Sequence, residues 1–402
     1  MRRAPLAPAA AALALGLLAA ALPARAGQAV ARPAEGAEVQ GVLVEADGKA
    51  LRIQTDAGGQ SFVLQDLMSV EFRDAKAPVA GDCGRVLTAA GDVIPGKAVL
   101  GASGRLEISG PWADRFEVSP KDLSGLLMPA GLKDERALRE IGRTGRRKDK
   151  LVLAGDELEG SFEGLTKDGV KFSSVLGPGE YKMDAVLALG FAELESFKAP
   201  EGAYLTAELA GGGRVSGWPV KAEGEKLRWR TLGGLELSLV LGSVSALRTV
   251  NGRVVFLADL KPSAPPAYRP FVEGLPFVWE FRADSDVFGK PLVLGGRTFD
   301  RGLGVAAHTR LAYALDGKFK RFKAEAGISD SVAAGGKTAF KVLLDGKEVF
   351  SCEKDPLTRG AKARSVDLEV LGGKLLELVV DFGPDGSDLG DIGGWGEARL
   401  IR

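Results

Sequence analysis

The sequence predicts an all-β protein in which tandem small β-barrels of the SH3 or Sm kind precede a jelly-roll β-sandwich. Three observations lead to this prediction. Fifty-five glycines and 20 prolines among 402 residues indicate many turns and short strands. Apolar residues alternate with others, as from Leu235 to Leu241, which is the pattern of a strand with one buried face. Asp-Gly pairs, which favour tight hairpin turns, separate such runs, for example at residues 47–48 and 168–169.

The overall composition limits the partners and the compartment. The 53 basic and 53 acidic residues cancel, so net charge gives no reason to expect nucleic acid or an anionic membrane surface as a partner. Residues 1–26 contain two arginines, an apolar run and Ala24-Arg25-Ala26, which predicts a cleaved signal peptide. We therefore expect an exported protein, periplasmic or extracellular. The apolar run is shorter than the roughly 20 residues that cross a bilayer, so no membrane span is expected after cleavage.

One sequence pattern recurs four times along the chain. It consists of a strand, a Gly-Asp or Gly-Gly turn, another strand, a polar turn, and a last strand that ends in an apolar triplet. Each copy has four or five short runs without a helical period, which predicts one small barrel per copy. Such barrels hide their strand edges by closure or by pairing with a neighbour. The predicted repeats cover residues 36–78, 82–131, 150–196 and 200–259.

Two segments are predicted to connect these units. Residues 132–149 are polar and end in a basic run, so we expect a linker with room for a short helix. A solvated charge run is favoured there over a nucleic-acid patch. The prolines of residues 260–270 predict a stiff, extended connector. The alternating apolar residues that follow predict a sandwich of jelly-roll size over residues 271–402.

Several blocks in the last third of the chain carry a family resemblance. In order they read F-x-R-G-L-G-V, Y-A-L-D-G, F-K-A-E-A-G-I-S-D, F-K-V-L-L-D-G-K-E-V-F and G-D-I-G-G-W-G-E-A-R-L. This order resembles the NPCBM domain, a family of carbohydrate-binding modules with a galactose-binding-like jelly-roll fold. The resemblance implies a glycan as the partner of residues 271–402. It departs from the family at Ala306 and Ile392, which stand in the places of two family histidines.

His308 is the only histidine in the chain, so catalysis or metal binding by histidine is confined to this position. A general base also needs a nucleophile and a partner that orients it, and the sequence shows no recognisable pair. We expect His308 to lie at the surface or at a strand edge, with ligand contact as the alternative. The nearby Gly302 and Gly304 are expected to permit unusual backbone angles where a strand begins.

Five more residues complete the predicted ligand-binding set. Trp395 offers a flat apolar face on which a sugar ring can stack, with packing inside the sandwich as the favoured alternative. Asp391 and Asp388 are candidates to accept hydrogen bonds from sugar hydroxyls, and Arg310 is a candidate to donate them. Asp330 lies where the family has an acidic residue, and the resemblance implies that it braces a loop or contacts the ligand.

The sequence offers one candidate metal site and two cysteines. Asp385, Asp388 and Asp391 are three residues apart in one glycine-rich loop. The resemblance implies a structural calcium ion at these aspartates, whereas the residues alone favour a solvated acidic turn. No other cofactor is expected. Cys83 and Cys352 fall in different predicted domains, so two unpaired thiols are favoured over the disulfide that export would permit.

Together these features predict an exported, non-catalytic protein that binds carbohydrate through its C-terminal module. A structural or protein-interaction role in the cell envelope is the first alternative, which the missing family histidines favour. A hydrolase with an appended binding module is the second, since 53 acidic residues always allow a carboxylate pair. Beyond the signal peptide and the sandwich, however, only small β repeats are left to hold a catalytic domain.

Overall fold

The computed structural model describes residues 28–79, 81–101, 105–192, 197–272 and 278–402. The predicted signal peptide lies outside the described residues. Strands make up most of the regular structure, which confirms the all-β prediction. Within the described ranges, no helix has the length and apolar character needed to cross a membrane.

Four β-modules, numbered 1 to 4 in chain order, precede the sandwich. Module 1 contains β1 (Gln28–Pro33), β2 (Val39–Ala46), β3 (Ala50–Thr55), β4 (Gly58–Val63) and β5 (Leu67–Phe72). Module 2 contains β6 (Gly84–Thr88), β7 (Val93–Leu100), β8 (Leu106–Gly110), β9 (Ala113–Val118) and β10 (Leu123–Leu127). Module 3 contains β11 (Asp149–Leu153), β12 (Glu157–Leu165), β13 (Gly169–Ser174), β14 (Gly177–Lys182) and β15 (Val186–Gly190). Module 4 contains β16 (Tyr204–Leu209), β17 (Arg214–Glu223), β18 (Lys226–Thr231), β19 (Glu236–Val240) and β20 (Val244–Val250).

The strands pair in the same order in every module. The first four form an antiparallel meander, and the fifth, which follows a short 3₁₀ turn, returns to pair with the first. Asp47 forms the expected hairpin turn, because its carboxylate accepts hydrogen bonds from Lys49 N and Ala50 N at 3.0 and 2.8 Å. Four copies of one five-stranded unit are therefore present, while closure of each into a barrel stays a prediction.

The modules associate in two pairs through their last strands. β5 pairs with β20, which joins modules 1 and 4 in one ladder. β10 pairs with β15 in the same antiparallel manner and joins modules 2 and 3. Single bridges, from Arg214 to Val93 and from Leu239 to Ala113, connect module 4 to module 2. Neighbouring modules thus cover each other's strand edges, as strands with unpaired backbone groups require.

The segment 132–149 contains the short helix that the sequence allows, and most of its basic run is exposed, but it also packs on the modules. It contains the helix α1 (Glu135–Ile141), whose Ala137 is fully buried against apolar residues of modules 2 and 3. Glu140 and Arg146 form a buried ion pair, with 2.8 Å between Oε1 and Nε. The segment packs on the modules because its few apolar residues face them and its buried charges neutralise each other.

The remaining strands build the C-terminal sandwich. They are β21 (Val254–Phe256), β22 (Ala267–Tyr268), β23 (Arg282–Ala283), β24 (Leu292–Leu294), β25 (Arg297–Phe299), β26 (Gly302–Ala306), β27 (Thr309–Ala314), β28 (Arg321–Ile328), β29 (Lys337–Leu344), β30 (Lys347–Ser351), β31 (Leu357–Thr358), β32 (Arg364–Glu369), β33 (Leu375–Phe382) and β34 (Ile392–Ile401). Sheet I has the order β23-β26-β34-β28-β32, with β21 also on β34. Sheet II has the order β22-β27-β33-β29-β30, with β31 also on β29. A separate hairpin, β24–β25, completes the domain.

The sandwich begins before the boundary that the sequence predicts at Phe271. β21 pairs with β34, and Leu257, directly after β21, is fully buried in the sandwich core. Residues 254–259 therefore belong to the sandwich, although the sequence assigns them to the fourth repeat. Residues 260–270, which the sequence predicts as a stiff extended connector, contribute β22 to sheet II. A strand of three residues is too short to show periodicity, so the pattern alone does not mark this boundary.

Glycines on sheet I serve close packing, and Gly302 also has the unusual backbone angle expected where a strand begins, with φ 157°. A Cβ atom on Gly302 would lie 2.6 Å from the Leu292 side chain, and one on Gly304 would lie 2.3 Å from the Ser285 carbonyl oxygen. On the neighbouring strand, a Cβ atom on Gly394 would lie 2.7 Å from Leu292. The β24–β25 hairpin therefore rests directly on the backbone of β26 and β34.

Both cysteines are unpaired and buried, as expected. Cys83 lies just before β6, and Cys352 follows β30. The Sγ atom of Cys352 accepts a hydrogen bond from Phe340 N at 3.1 Å. Burial raises the pKa of Cys83, so this thiol stays protonated and unreactive at neutral pH.

Candidate functional site

The buried polar residues of the sandwich gather at one end. They are Asp286, Thr309, Ser329, Thr338 and Asp391. Thr309 begins β27, Ser329 directly follows β28 and Thr338 is the second residue of β29, while Asp286 and Asp391 lie in the adjoining loops. Burying polar groups costs free energy unless they are paired, so their concentration marks a part of the fold that is built for more than packing. We call this part the polar end.

His308 lies at the polar end, in the turn between β26 and β27. Its Nδ1 atom is 2.8 Å from Asp381 Oδ1, at the end of β33. The hydrogen bond from His308 lowers the pKa of Asp381 to about 2 despite its partial burial. Asp381 is therefore ionised and can only accept, so Nδ1 carries the proton of this hydrogen bond. The side chain of His308 is 25% exposed, and Nε2 has no hydrogen-bond partner in the described part of the chain.

Lys341 extends this pair into a row of alternating charges across sheet II. Its Nζ atom lies 3.4 Å from Asp381 and 3.0 Å from Glu353. Burial lowers the pKa of Lys341, but the hydrogen bond to Glu353 and the charge of Asp381 together raise it above its usual value. Lys341 is thus a permanent cation. The row offers donors and acceptors side by side, which suits a ligand whose groups both donate and accept.

Two aromatic rings stand beside His308. The Phe382 ring centroid is 6.2 Å from that of His308, and Phe271 packs edge-on against Phe382 at 5.1 Å. Phe271 is 41% exposed, so the end carries an apolar surface as well as charges. An apolar surface beside a few placed polar groups is the usual composition of a small-ligand site.

Asp391 lies at the polar end but faces inward. Its Oδ1 atom accepts hydrogen bonds from Lys337 N at 2.8 Å and from Thr338 Oγ1 at 3.3 Å. Burial raises the pKa of Asp391, and the charge of Asp385 adds to this rise. The Asp391 carbonyl oxygen also accepts a hydrogen bond from Ala307 N at 2.8 Å, beside His308. Asp391 therefore holds the turn that presents His308, and its carboxylate is not exposed to a ligand.

The predicted calcium site is not formed by carboxylates. Asp385 and Asp388 are exposed in the loop between β33 and β34, whereas Asp391 is buried and hydrogen-bonded to β29. Across the described residues, no group of three or more His, Cys, Asp or Glu side chains is placed to hold a metal ion. The exposed Asp385 and Asp388 fit the solvated acidic turn that the residues alone favour, whereas Asp391, directly before β34, turns away from the loop.

Trp395 is not available for stacking, which corrects its choice as a ligand contact. It lies on the central strand β34 and is fully buried. Its ring packs edge-on against Phe340 at 5.1 Å and against Phe322 at 6.5 Å between ring centroids. The favoured alternative in the sequence, packing inside the sandwich, is therefore confirmed.

The other two candidates have mainly structural contacts. Asp330 accepts hydrogen bonds from Gly295 N at 3.1 Å and Gly296 N at 2.7 Å, so it braces the β24–β25 turn. Arg310 lies two residues after His308 and pairs with Glu377 at 3.3 Å. Of the predicted set, the structure thus brings His308, Asp388 and Asp391 to one end.

Sequence reasoning missed Asp381, Lys341 and Phe382, which surround His308. Asp381 is 73 residues from His308 and meets it only because β33 pairs with β27. The sequence contained a partial signal, since Asp381 ends the predicted alternating strand. Nothing local, however, indicates which turn that strand end would face.

A β-sandwich with polar and aromatic groups gathered at one end has the form of a ligand-binding module. Residues 267–401 match the NPCBM/NEW2 domain, and the C-terminal third of the chain is therefore such a domain. A stretch of 115 residues is 30% identical to a protein of Renibacterium salmoninarum named "Putative endo-alpha-N-acetylgalactosaminidase". The match covers 28% of this chain and only 7% of that relative.

Two solved structures share similarity with the chain. The CBM51 module from Clostridium perfringens GH95, in complex with methyl-galactose, is 25% identical with a TM-score of 0.32, over 37% of this chain and 99% of the module. The tandem CBM51 modules of a family 98 glycoside hydrolase from Streptococcus pneumoniae are 13% identical with a TM-score of 0.32, over 87% of both chains.

Proposed function

We propose that this is an exported, non-catalytic protein whose C-terminal sandwich binds a carbohydrate at its polar end. The observation that carries this proposal is the His308 ring, held through Nδ1 and open at Nε2, inside a domain of the NPCBM/NEW2 family. The signal-peptide pattern of residues 1–26 supports export. The name of the Renibacterium relative directs attention to N-acetylgalactosamine and related sugars.

The chemistry of the polar end suits sugar hydroxyls. The Nδ1–H of His308 donates its hydrogen bond to Asp381, so Nε2 is the ring atom left to meet a sugar hydroxyl. Lys341 donates and Glu353 accepts, so neighbouring hydroxyls of one sugar find both kinds of partner. The exposed part of Phe271 covers the apolar face of the ring. Each contact replaces one to water, so a single site of this kind binds weakly.

The surroundings of His308 support the non-catalytic part of the proposal. Within the described residues, the hydrogen-bond partner of the His308 ring is Asp381, a carboxylate and not a nucleophilic hydroxyl or thiol. Asp381 keeps its charge at neutral pH and so is no proton donor. We expect no turnover of chromogenic N-acetylgalactosaminides. Turnover that is lost on replacing one carboxylate would favour a hydrolase instead.

A glycan array probed with the full chain tests the binding proposal. We expect retention on a small set of glycans, with galactose and N-acetylgalactosamine termini examined first. His308→Gln and Lys341→Gln should each lower the affinity about five- to tenfold, which is the free energy of about one hydrogen bond. Lys347→Gln is the matched control. Lys347 lies on β30 of sheet II and pairs with Leu344, at the end of β29 that is far from His308. Absence of binding to every glycan, or equal binding by all variants, contradicts the proposal.

A protein-interaction role is the second candidate, favoured by the burial of Trp395. Ion pairs between the sandwich and the modules also support it, such as Arg248 with Asp300 at 3.7 Å and Arg32 with Glu397 at 3.9 Å. These pairs give the sandwich a fixed place beside modules 1 and 4, as in a structural protein. A stable partner recovered from periplasmic extract, and not displaced by any sugar, would favour this role over glycan binding.

A further inference from the structure

A cleft of about 970 Å³ lies between modules 2 and 3, far along the chain from the polar end. Its lining is mostly aliphatic, and no aromatic ring contributes to the described lining. Among the residues that form it are Val86, Ala98, Leu126, Met128, Leu165 and Met183. The volume is that of a small-molecule site. Without an aromatic face, however, it lacks the stacking surface that a sugar ring uses.

The corresponding groove between modules 1 and 4 is closed. There the second strands, β2 and β17, pack directly against each other. A Cβ atom on Gly48, in the turn after β2, would lie 3.5 Å from the Pro219 carbonyl oxygen of β17. The equivalent strands of the other pair, β7 and β12, hardly touch and leave the cleft between them. The same strand pairing gives one sealed and one open groove, so the opening does not follow from the module design itself.

The opening of the cleft, which we call its rim, carries both exposed aliphatic residues and positively charged residues. Val99 and Leu100 of β7 are 38% and 48% exposed, although both are large aliphatic residues. Covering such surface is favourable by about 25 cal/mol per Å². Lys97 and Lys167 also line the cleft, and neither forms an ion pair with a described carboxylate.

The cleft keeps a net positive charge when the other charged residues that line it are counted. Arg85 lines it and donates to backbone carbonyls, those of Gly84 at 3.1 Å and Gly211 at 3.5 Å. Asp82 and Asp184 line it as exposed carboxylates. Three cations therefore face two anions, which leaves the cleft with a net positive charge.

We propose that this cleft binds a single-chain anionic amphiphile of the fatty-acid class. The alkyl chain lies on the aliphatic floor between modules 2 and 3. The carboxylate lies at the rim, where Lys97 and Lys167 supply unpaired positive charge. Methionine side chains adapt to a flexible chain, and Met128 and Met183 both line the floor. This site is independent of the polar end and of sugar binding.

Calorimetric titration of the full chain with dodecanoate, below its micelle concentration, tests this proposal. We expect saturable binding of one molecule per chain. Ala98→Phe should lower the affinity at least tenfold, because the added ring fills the cleft. Lys167→Gln should lower it about fivefold. Lys171→Gln is the matched control, since Lys171 is an exposed residue of module 3 outside the cleft, and it should leave the affinity unchanged.

The two variants protect the test against misfolding. An inserted ring at Ala98 can disturb β7, so the thermal unfolding of Ala98→Phe is compared with that of the wild type. If Ala98→Phe does not fold, the surface variant Lys167→Gln provides the test. Dodecanol serves as the uncharged ligand and should bind at least fivefold more weakly than dodecanoate. The proposal is overturned by the absence of saturable binding, by equal affinity of wild type and Lys167→Gln, or by equal affinity for dodecanol and dodecanoate.

Discussion

The four modules and the C-terminal sandwich bury polar groups in different ways. In the modules, buried polar residues are scattered: Thr88 and Asp92 in module 2, Thr231 and Ser243 in module 4, and Ser69 in module 1. In the sandwich, all such residues in the described ranges lie at the polar end. Asp92 is also hydrogen-bonded across modules, to Ser216 N, but the sandwich concentrates its buried polar groups in one place. The comparison supports the sandwich as the location of the proposed sugar site, separate from the cleft proposed between modules 2 and 3.

The largest expected effect concerns the boundary between these two regions. Leu257→Ala should reduce the free energy of unfolding of the sandwich by about 2–5 kcal/mol, the usual cost of a cavity at a fully buried leucine. The reason is that Leu257 precedes the family match yet lies fully buried in the sandwich core. Urea denaturation of the full chain measures this cost. The matched control Leu260→Ala, at a partly buried position, should cost much less, and equal costs would contradict the boundary.

The next effect concerns a buried carboxylate in the modules, Asp92, which we expect to influence stability and not sugar binding. Asp92 is buried where module 2 meets module 4, and its Oδ1 atom accepts a hydrogen bond from Ser216 N at 2.7 Å. Burial raises the pKa of Asp92 to about 6. A raised folded-state pKa stabilises the protein below the unfolded value, near pH 4, and this stability is lost as the pH rises through 6. The loss amounts to about 3 kcal/mol, at about 1.4 kcal/mol for each pKa unit.

Asp92→Asn should remove this pH dependence without changing sugar affinity. Thermal unfolding at pH 4.5 and pH 7.5 measures the difference, and the exposed Asp82→Asn is the control. A variant that keeps the full pH dependence would show that another group is responsible. A variant that loses sugar binding would break the division between modules and sandwich.

The contribution of Asp381 to stability should depend on pH in the opposite direction. Its folded-state pKa of about 2 lies below the unfolded value, so its contribution to stability is present above about pH 4 and is lost as the pH falls toward 2. Because the side chain is partly exposed, we expect a contribution of about 1–2 kcal/mol. Asp381→Asn should remove this acid sensitivity and also weaken sugar binding, since it frees the His308 ring. Acid unfolding curves and titration calorimetry measure the two effects, and an unchanged sugar affinity would mean that the pair is only structural.

Local sequence patterns predicted the strands and turns, whereas the pairing of strands far apart in the chain determines which residues meet at the polar end. The Asp-Gly turn at residues 345–346 formed as expected, with both residues at positive φ. The alternating apolar residues of β33, such as Leu376 and Leu378, are buried as expected. The partner of His308 and the inward position of Trp395 depend on which strands become neighbours. That order is set by contacts between residues far apart in the chain, and periodicity does not contain it.

Hydrogen–deuterium exchange of the full chain, with and without its tightest-binding glycan, tests the central claim most directly. Exchange reports local opening of the backbone, and a bound ligand slows it where it contacts the fold. We predict protection at the β26–β27 turn around His308 and at the end of β33 around Asp381, with the modules unchanged. Protection confined to modules 1 to 4, or to the sandwich strands far from His308, would contradict the assignment of sugar binding to the polar end.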